Sequence, residues 1–246
     1  MGENSLGGTY RNLQEMWKEE LGEKGEKRTE WYKKAEDYWE NQEVSVNGVL
    51  GGYEVVSHTD IAASSDFLNA LKALPAEKGG PCGFEYACDC GAGIGRVSKG
   101  LLLKHFQKVD LVEPCEKYLR KAKDFVQSDR AKEFICVGLQ DFDPIPDRYD
   151  VIWIQWVALY LTDPDLDSFL KRCKRALKPN GVICLKENVV VGVDGKFHID
   201  KDDNSIMRTD EHYRVLIKKA GLQLLCEMRQ PKFPKGLFPV FMFAFR

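Results

Sequence analysis

The feature that most constrains the fold is a glycine-rich turn between a short apolar strand and a helix. The pattern predicts a buried strand over residues 84–87 and a helix over residues 97–103. Gly91, Gly93 and Gly95 stand at alternate positions between the two. Because glycine lacks a side chain, such a turn lets the backbone approach a ligand closely at the start of a helix. The G-x-G-x-G spacing differs from the dinucleotide pattern G-x-G-x-x-G, since the third glycine comes one residue early.

A second predicted strand, which ends in an acid, supports a binding role for this turn. It covers residues 108–113 and ends at Glu113, about 20 residues after the glycines. An acid there can accept hydrogen bonds from the hydroxyl groups of a ribose. A tight structural turn and a solvated charge at the strand end are the alternatives. The two features at this spacing favour a cofactor of the nucleoside type.

Composition bounds the class of protein. The chain has 246 residues, of which 43% are hydrophobic and 30% charged, so it can form one packed domain with an elaboration. The net charge of −2 gives no general attraction to nucleic acid. The sequence shows no apolar run long enough to span a bilayer and no signal peptide. We therefore expect neither a membrane nor a nucleic-acid partner, and the oligomeric state stays open.

The eight cysteines predict a reducing compartment. Most occur in apolar strand or helix contexts, namely Cys88, Cys136, Cys173, Cys184 and Cys226. Buried thiols of this kind are typical of cytoplasmic or nuclear proteins. The segment Cys88-Asp89-Cys90 has one intervening residue and neither a partner pair nor a histidine cluster, so we expect no metal.

From residue 84 onward, predicted strands alternate with predicted helices. The strands are placed at 84–89, 108–113, 133–137, 149–154 and 181–187. The helices are placed at 95–104, 115–127, 163–177 and 210–220, and the tail pairs 222–229 with 238–245 as an antiparallel hairpin. Such alternation predicts an α/β fold with a mostly parallel sheet and helices on both faces.

The part before residue 81 is predicted to be an addition to this core. We expect a flexible charged tail over residues 1–28, with a short helix near 13–21. A single domain follows over 29–246, divided into an N-terminal helical cap over 29–80 and a Rossmann-like core over 81–246. Other expected segments are an aromatic-rich helix over 30–42, a glycine-rich loop over 46–53, a helix over 60–74 and a polar loop over 189–208.

Six motifs of the chain occur together in one known family. They are Trp39, VNGVLGGY at 46–53, DCGAGIGR at 89–96, GLQDF at 138–142, YDVIWIQW at 149–156 and KEN at 186–188. With these motifs the chain resembles the eukaryotic protein N-terminal methyltransferases, from about residue 31 to residue 246. The WIQW and LGGY motifs are specific to that family, whereas the glycine turn is common to all class I methyltransferases.

The resemblance implies a fold, a cofactor and a substrate. It implies a class I fold dependent on S-adenosyl-L-methionine, with a seven-stranded sheet, an N-terminal helical addition and a hairpin near the substrate. The expected reaction is methylation of the α-amine of proteins that begin Xaa-Pro-Lys after Met removal, with S-adenosyl-L-homocysteine as product. The expected partners are therefore protein N-termini.

The resemblance also implies roles for individual residues. The cofactor would contact Gly91, Gly93, Arg96, Glu113, Leu139, Gln140 and Gln155. The substrate would contact Trp39, Trp156, Asp200 and Ser205, and the catalytic pair would be Asn188 and Asp203. Glu113 replaces the aspartate of some members, although either acid can accept the ribose hydrogen bonds. Residues 189–202 align least securely, so Asp202 competes with Asp203 for the role of base.

The expected chemistry needs only a modest base. An α-amine has a pKa of about 7.7–8.0 and a lysine amine about 10.4, so deprotonation of the lysine costs roughly 3.4 kcal/mol more. A carboxylate such as Asp203, oriented by Asn188, is sufficient on this argument. Asp200, Asp202 and Asp203 would bind a lysine at the third substrate position. Trp39 and Trp156 would form a flat wall for a proline ring at the second substrate position.

Structural alternatives remain for each of these residues. The acidic cluster can be a solvated turn, Trp39 a core aromatic, Trp156 a strand-end packing residue and Asn188 a turn residue. Two other functions also remain: a class I methyltransferase for a small-molecule amine or a lysine side chain, and a binding module that has lost catalysis. The substrate distinguishes the first alternative, and cofactor binding with turnover distinguishes the second.

Overall fold

The computed structural model describes residues 1–191 and 196–246. The described helices are α1 (Leu13–Leu21), α2 (Arg28–Glu40), α3 (Val46–Val49), α4 (Ser57–Leu71), α5 (Leu103–His105), α6 (Glu116–Val126), α7 (Asp163–Ala176) and α8 (Asp210–Lys219). The described strands are β1 (Gly2–Asn4), β2 (Thr9–Tyr10), β3 (Tyr86–Cys90), β4 (Lys108–Val112), β5 (Ala131–Ile135), β6 (Tyr149–Gln155), β7 (Leu177–Asn188), β8 (Phe197–Asp200), β9 (Ser205–Met207), β10 (Leu224–Arg229) and β11 (Val240–Phe245).

The main sheet has seven strands in the order β10-β11-β7-β6-β3-β4-β5. Strands β3 to β7 pair in parallel, and β11 runs antiparallel to both of its neighbours. Every residue of β6 is buried, as expected for a central strand covered on both faces. The predicted α/β fold, its seven-stranded sheet and its C-terminal hairpin are confirmed.

The glycine turn follows β3 at the carboxyl edge of this sheet. The backbone N–H groups of Gly91 and Ala92 both donate to the carbonyl of Val112 at the end of β4, at 2.9 and 3.0 Å. The predicted helix over 95–104 is irregular, because a π-helical turn covers Ser98–Leu102 before α5. Such wide turns are frequent at functional sites.

The segment before α2 differs from the predicted flexible tail. The helix expected near 13–21 is present as α1, but β1 and β2 precede it and join the four-stranded sheet β2-β1-β8-β9. Tyr10, Met16 and Leu21 are buried in the same core cluster as Trp31. Most charges of this segment are exposed, while its few apolar residues hold it against the domain. The division into cap and core stays a prediction.

Two expected loops contain regular structure. The glycine-rich segment over 46–53 begins with α3, whose N-cap Ser45 accepts a hydrogen bond from the N–H of Gly48 at 3.0 Å. The segment over 189–208 contains the hairpin β8–β9, while its residues 192–195 lie outside the described residues. The third strand supplied by β1 explains why this polar segment is ordered into a sheet.

Candidate active site

A pocket lies where the carboxyl ends of β3, β4 and β6 meet helix α2. Its space outside the protein atoms, open solvent at the mouth included, is about 1010 Å³. Its lining includes the seven predicted cofactor residues Gly91, Gly93, Arg96, Glu113, Leu139, Gln140 and Gln155, and the predicted substrate residues Trp39 and Trp156. In an open α/β sheet, ligands bind at this edge, where the connections to neighbouring strands diverge.

Glu113 fixes the glycine turn from the end of β4. Its Oε2 accepts the N–H of Gly93 at 3.0 Å, and its Oε1 accepts the N–H of Cys115 at 3.0 Å. Burial raises the pKa of Glu113 to about 7, although these two hydrogen bonds oppose the shift. Each carboxylate oxygen keeps a further lone pair, so the side chain can still accept a hydrogen bond from a ligand hydroxyl.

Arg96 belongs to a buried ionic network that the sequence analysis missed. Its Nη1 lies 2.8 Å from Oδ2 of Asp60, which comes from α4. The Nζ of Lys186 lies 2.5 Å from Oδ1 of the same carboxylate. Burial alone would raise the pKa of Asp60, but the charges of Lys186 and Arg96 outweigh it and lower the pKa. Asp60 thus stays ionised and holds the guanidinium in place at the pocket wall.

The same carboxylate positions Gln155. The Nε2 of Gln155 donates to Oδ1 of Asp60 at 2.8 Å, and its Oε1 accepts the indole N–H of Trp153 at 2.9 Å. Both polar atoms of the amide are therefore oriented by buried partners. A charged Lys186 inside an apolar strand was the signal that a buried acid must exist, because an unpaired internal charge is costly.

The loop after β5 forms the side predicted to contact an adenine ring. Arg172 from α7 donates to the carbonyls of Leu139 and Gln140, at 2.8 and 3.1 Å. Leu139 is buried, and Gln140 is half-buried. These backbone hydrogen bonds hold an apolar wall next to the acid Glu113.

Trp156 lines the pocket and is held in an unusual backbone conformation. Its φ is 51°, a region that bulky residues rarely adopt. The next residues, Val157 and Ala158, both donate their N–H groups to Oε1 of the buried Glu187 at 2.8 Å. The indole N–H of Trp156 is buried and has no acceptor among the described residues. A buried donor without a partner is a signal that a ligand supplies the acceptor.

Tyr160 links the pocket to the acidic hairpin, and the sequence analysis missed this residue too. Its hydroxyl donates to Oδ2 of Asp203 at 3.0 Å, and its ring packs edge-on against Trp39 with centroids 6.3 Å apart. Burial raises the pKa of Tyr160 well above its usual value, so it remains a neutral donor. Burial also raises the pKa of Asp203, while hydrogen bonds from Ser205 and Tyr160 oppose that shift.

The three aspartates of the hairpin have different surroundings. Asp203 is half-buried and accepts the N–H of Ser205 at 2.9 Å, whereas Asp202 is exposed. Asp200 is half-buried and accepts the N–H of Asp202 at 2.9 Å. The cluster lies beside α2, where Lys34 donates to the carbonyl of Lys201. Burial and the charges of all three aspartates raise the pKa of Tyr38 on the same helix. Asp203 is the member directed toward the pocket.

Four of the predicted site residues lie outside the pocket wall. Among the described residues that line it, Asn188, Asp200, Asp203 and Ser205 do not appear. Asn188 ends β7 and is half-buried, and Ser205 is buried at the start of β9. Asp203 reaches the pocket through the hydroxyl of Tyr160. The roles of all these residues stay predictions.

The described residues were also considered for a metal site and for a membrane-spanning helix. Within residues 1–191 and 196–246, no group of three or more His, Cys, Asp or Glu side chains is arranged to hold a metal ion. Among the helices described, none combines the length and apolarity that crossing a membrane requires.

Comparison with known proteins assigns the family. An alpha N-terminal protein methyltransferase 1 from Dictyostelium discoideum is 45% identical over 246 residues, which cover 97% of this chain and 88% of the relative. An N-terminal Xaa-Pro-Lys N-methyltransferase 1-B from Xenopus laevis is 46% identical over 224 residues, with coverages of 90% and 97%.

A solved structure and a family model agree with these relatives. The structure of a SAM-dependent methyltransferase from Leishmania major has a TM-score of 0.91 and 39% identity, and the match covers 100% of this chain and 95% of that one. A family model described as AdoMet dependent proline di-methyltransferase matches residues 27–246. The chain therefore belongs to the family of AdoMet dependent proline di-methyltransferases.

Proposed function

We propose that this protein transfers a methyl group from S-adenosyl-L-methionine to the α-amine of proteins that begin Xaa-Pro-Lys. The observation that carries the proposal is the hydrogen bond between Tyr160 and Asp203. It places a half-buried carboxylate next to a wall containing Trp39 and Trp156, at a pocket with a buried acid suited to a ribose. The name of the Dictyostelium relative supports methylation of protein N-termini, and the name of the Xenopus relative supports the Xaa-Pro-Lys sequence.

The residues of the pocket fit the cofactor. Gly93 lines the pocket with a φ of 54°, a conformation that glycine adopts readily, and its lack of a side chain leaves the backbone open to a ligand. Glu113 would accept from ribose hydroxyls, and Arg96 would pair with the carboxylate of the methionine part. Leu139 would pack on the adenine ring. When bound, S-adenosyl-L-methionine supplies a methyl group on a positively charged sulfur.

Asp203 would prepare the substrate amine by accepting its proton. The amine must be uncharged to act as a nucleophile, and an α-amine with a pKa of about 7.7–8.0 is close to that state at neutral pH. The raised pKa of Asp203 brings the carboxylate closer to the amine in proton affinity. Tyr160 and Ser205 hold its two oxygens in one orientation.

The surrounding residues account for recognition of proline and lysine. Trp39 and Trp156 offer flat apolar faces, which suit a proline ring that has no N–H to satisfy. The unpaired indole N–H of Trp156 can donate to a backbone carbonyl of the substrate. Asp200 and Asp202 would attract the ammonium group of a third-residue lysine.

A peptide series tests the substrate class. We expect a Ser-Pro-Lys-Arg peptide to gain methyl groups in a mass-resolved assay. Replacing its lysine with glutamate should lower kcat/KM by orders of magnitude, because like charges repel strongly where water is scarce. The matched arginine peptide keeps the charge and should remain a substrate. Equal rates for the glutamate and lysine peptides would exclude the acidic hairpin as the recognition element.

We also propose that the protein acts in the cytoplasm or nucleus. All eight cysteines are free thiols, and six of them are buried. Buried thiols without disulfides are compatible with a reducing compartment. Fractionation of cells that express the full chain tests this placement, and recovery of the protein from the secreted fraction would contradict it.

A further inference from the structure

The first 21 residues contact the hairpin that carries the acidic side chains. They precede residues 27–246, the part of the chain that the family model matches. We propose that β1, β2 and α1 are a brace that holds the hairpin β8–β9 in the position needed to bind the substrate. This inference rests on the proposed function, since it assigns a role in that same site to residues outside the pocket.

The brace supplies a third strand to the hairpin. Strand β1 pairs in parallel with β8, with Gly2 opposite Phe197 and Asn4 opposite Ile199. The N–H of Ser5 continues the pairing and donates to the carbonyl of Ile199 at 2.9 Å. Strands β8 and β9 have only four and three residues. An isolated two-stranded hairpin is marginally stable in water, so the neighbouring strand is needed to order it.

A chain of side-chain hydrogen bonds reaches the turn of the hairpin. Asn4 donates to the hydroxyl of Tyr10 at 2.9 Å, and that hydroxyl donates to Oε1 of Glu20 at 2.6 Å. The other carboxylate oxygen of Glu20 pairs with the ammonium group of Lys201. The Oγ of Ser5 accepts the N–H of Lys201 at 2.9 Å.

Lys201 lies between the two aspartates that matter for the site. It directly follows Asp200 and stands two residues before Asp203. The brace therefore holds the turn on its outer side through Ser5 and Glu20. Helix α2 holds the same residue on the inner side, where Lys34 donates to the carbonyl of Lys201.

Apolar packing joins the brace to the base of the hairpin. Tyr10 and Phe197 are 3% and 4% exposed, and their rings stack with centroids 6.0 Å apart. Both belong to the main core cluster. Displacing the brace would expose these rings and free the hairpin at both ends, so the positions of Asp200 and Asp203 depend on it.

The test compares a double variant, which combines one change on α1 with one at Ser5, with a single control change on α1. The double variant Ser5→Ala/Glu20→Gln removes both side-chain contacts to Lys201. The control Glu19→Gln removes the same charge from the neighbouring exposed position. Each protein is assayed with the Ser-Pro-Lys-Arg peptide and titrated with S-adenosylhomocysteine, and hydrogen exchange is followed over residues 197–207.

We expect the double variant to raise the peptide KM about tenfold, since it removes a half-buried ionic contact and the hydrogen bond from the N–H of Lys201 to Ser5. Its affinity for S-adenosylhomocysteine should stay within about twofold of wild type, because the cofactor residues lie on the main sheet. Exchange over residues 197–207 should become faster. Ser5→Ala alone, an exposed change that leaves the core intact, should shift KM in the same direction by about threefold.

Kinetics of the double variant equal to those of Glu19→Gln would overturn the inference. An equal loss of S-adenosylhomocysteine affinity would overturn it as well, because the effect would then be general. Failure of the proposed function has a different signature, namely no product from the wild type or from any of the variants. In that case hydrogen exchange is the only measurement that tests the brace. Unchanged protection over residues 197–207 in the double variant would refute it.

Discussion

The two sides of the pocket differ in how far apart along the chain their residues lie. Most of the cofactor side comes from Gly91 to Gln155, and these residues end or follow the parallel strands β3 to β6 of the main sheet. The substrate side joins α2, the loop after β6 and the hairpin β8–β9, which is itself attached to the first residues of the chain. A sheet edge can thus present a cofactor site by itself, whereas the substrate site depends on several separate attachments.

Because of this difference, we expect substitutions on the two sides of the pocket to change different properties of the protein. Changes on the substrate side should lower turnover or peptide binding while cofactor affinity is preserved. Changes in the network under the cofactor side should lower stability, because Asp60, Arg96 and Lys186 are buried charges that depend on one another. Matched variants can separate a loss of turnover or peptide binding from a loss of stability.

The largest expected effect is that of Asp203→Asn. Removing a general base should lower kcat by about 10²–10⁴-fold, with partial recovery at high pH, where more of the amine is already neutral. The affinity for S-adenosylhomocysteine should stay near wild type. Steady-state kinetics over a range of pH check this prediction.

Asp202→Asn is the matched control for that experiment. It removes the same charge from the adjacent exposed residue, so kcat should change far less. A severe loss of kcat in Asp202→Asn together with a mild loss in Asp203→Asn would show that Asp202 is the base. That result would contradict the orientation of Asp203 seen in the structure.

The second effect concerns the buried network. Asp60→Asn leaves the charges of Lys186 and Arg96 without compensation, so the free energy of unfolding should fall by about 3–5 kcal/mol. Urea unfolding measures it. Asp66→Asn lies on an exposed position of the same helix and should stay within about 0.5 kcal/mol of wild type. Equal stabilities of the two variants would show that the network contributes nothing.

The third effect joins the two sides through Tyr160. Tyr160→Phe keeps the ring against Trp39 and removes only the hydrogen bond to Asp203. We expect kcat to fall about tenfold, as for a hydrogen bond to a charged group. In the Asp203→Asn background the same change should have almost no further effect on kcat. Additive losses in this double-mutant cycle would mean that Tyr160 acts independently of Asp203.

The smallest effect is a pH dependence on the cofactor side. With a pKa of about 7, Glu113 gains a charge as the pH rises from 6 to 8. A charged acceptor makes the stronger hydrogen bonds, so affinity for S-adenosylhomocysteine should rise about fivefold over that range. The stability of the free protein should change in the opposite direction. Its free energy of unfolding should fall as the pH rises toward 7, because the folded state binds the proton of Glu113 more tightly than the unfolded state does.

Calorimetric titration with S-adenosylhomocysteine at several pH values measures the first part of this prediction. Glu113→Gln serves as the comparison, because a neutral amide cannot gain the charge. Its affinity should vary much less with pH. An identical pH dependence in wild type and variant would assign the titration to another group.

The difference between the two sides also explains what the sequence could predict. The glycine turn and Glu113 are close in sequence and follow two adjacent strands, so local pattern and sheet topology were sufficient to place them. Family resemblance supplied Trp39, Trp156 and Asp203, which no local pattern connects. Their placement around Tyr160 depends on tertiary packing alone.

Two features could not be predicted from the local sequence pattern, because each depends on contacts between distant parts of the chain. Residues 1–28 have the charged composition of a flexible segment, and their order comes from pairing with a hairpin nearly two hundred residues later. Gly91 shows a related limit, since a Cβ there would lie 2.6 Å from Val157. Its substitution would therefore disturb the fold as well as the cofactor site.

The most direct test of the central claim compares one peptide with a free and with an acetylated N-terminus. Both peptides carry the sequence Ser-Pro-Lys-Arg, and the mass and position of added methyl groups are followed over time. Acetylation removes the basicity of the α-amine and leaves the lysine side chain unchanged. We predict methylation of the free α-amine and none of the acetylated peptide. Equal methylation of both peptides would contradict the account and indicate a side-chain methyltransferase.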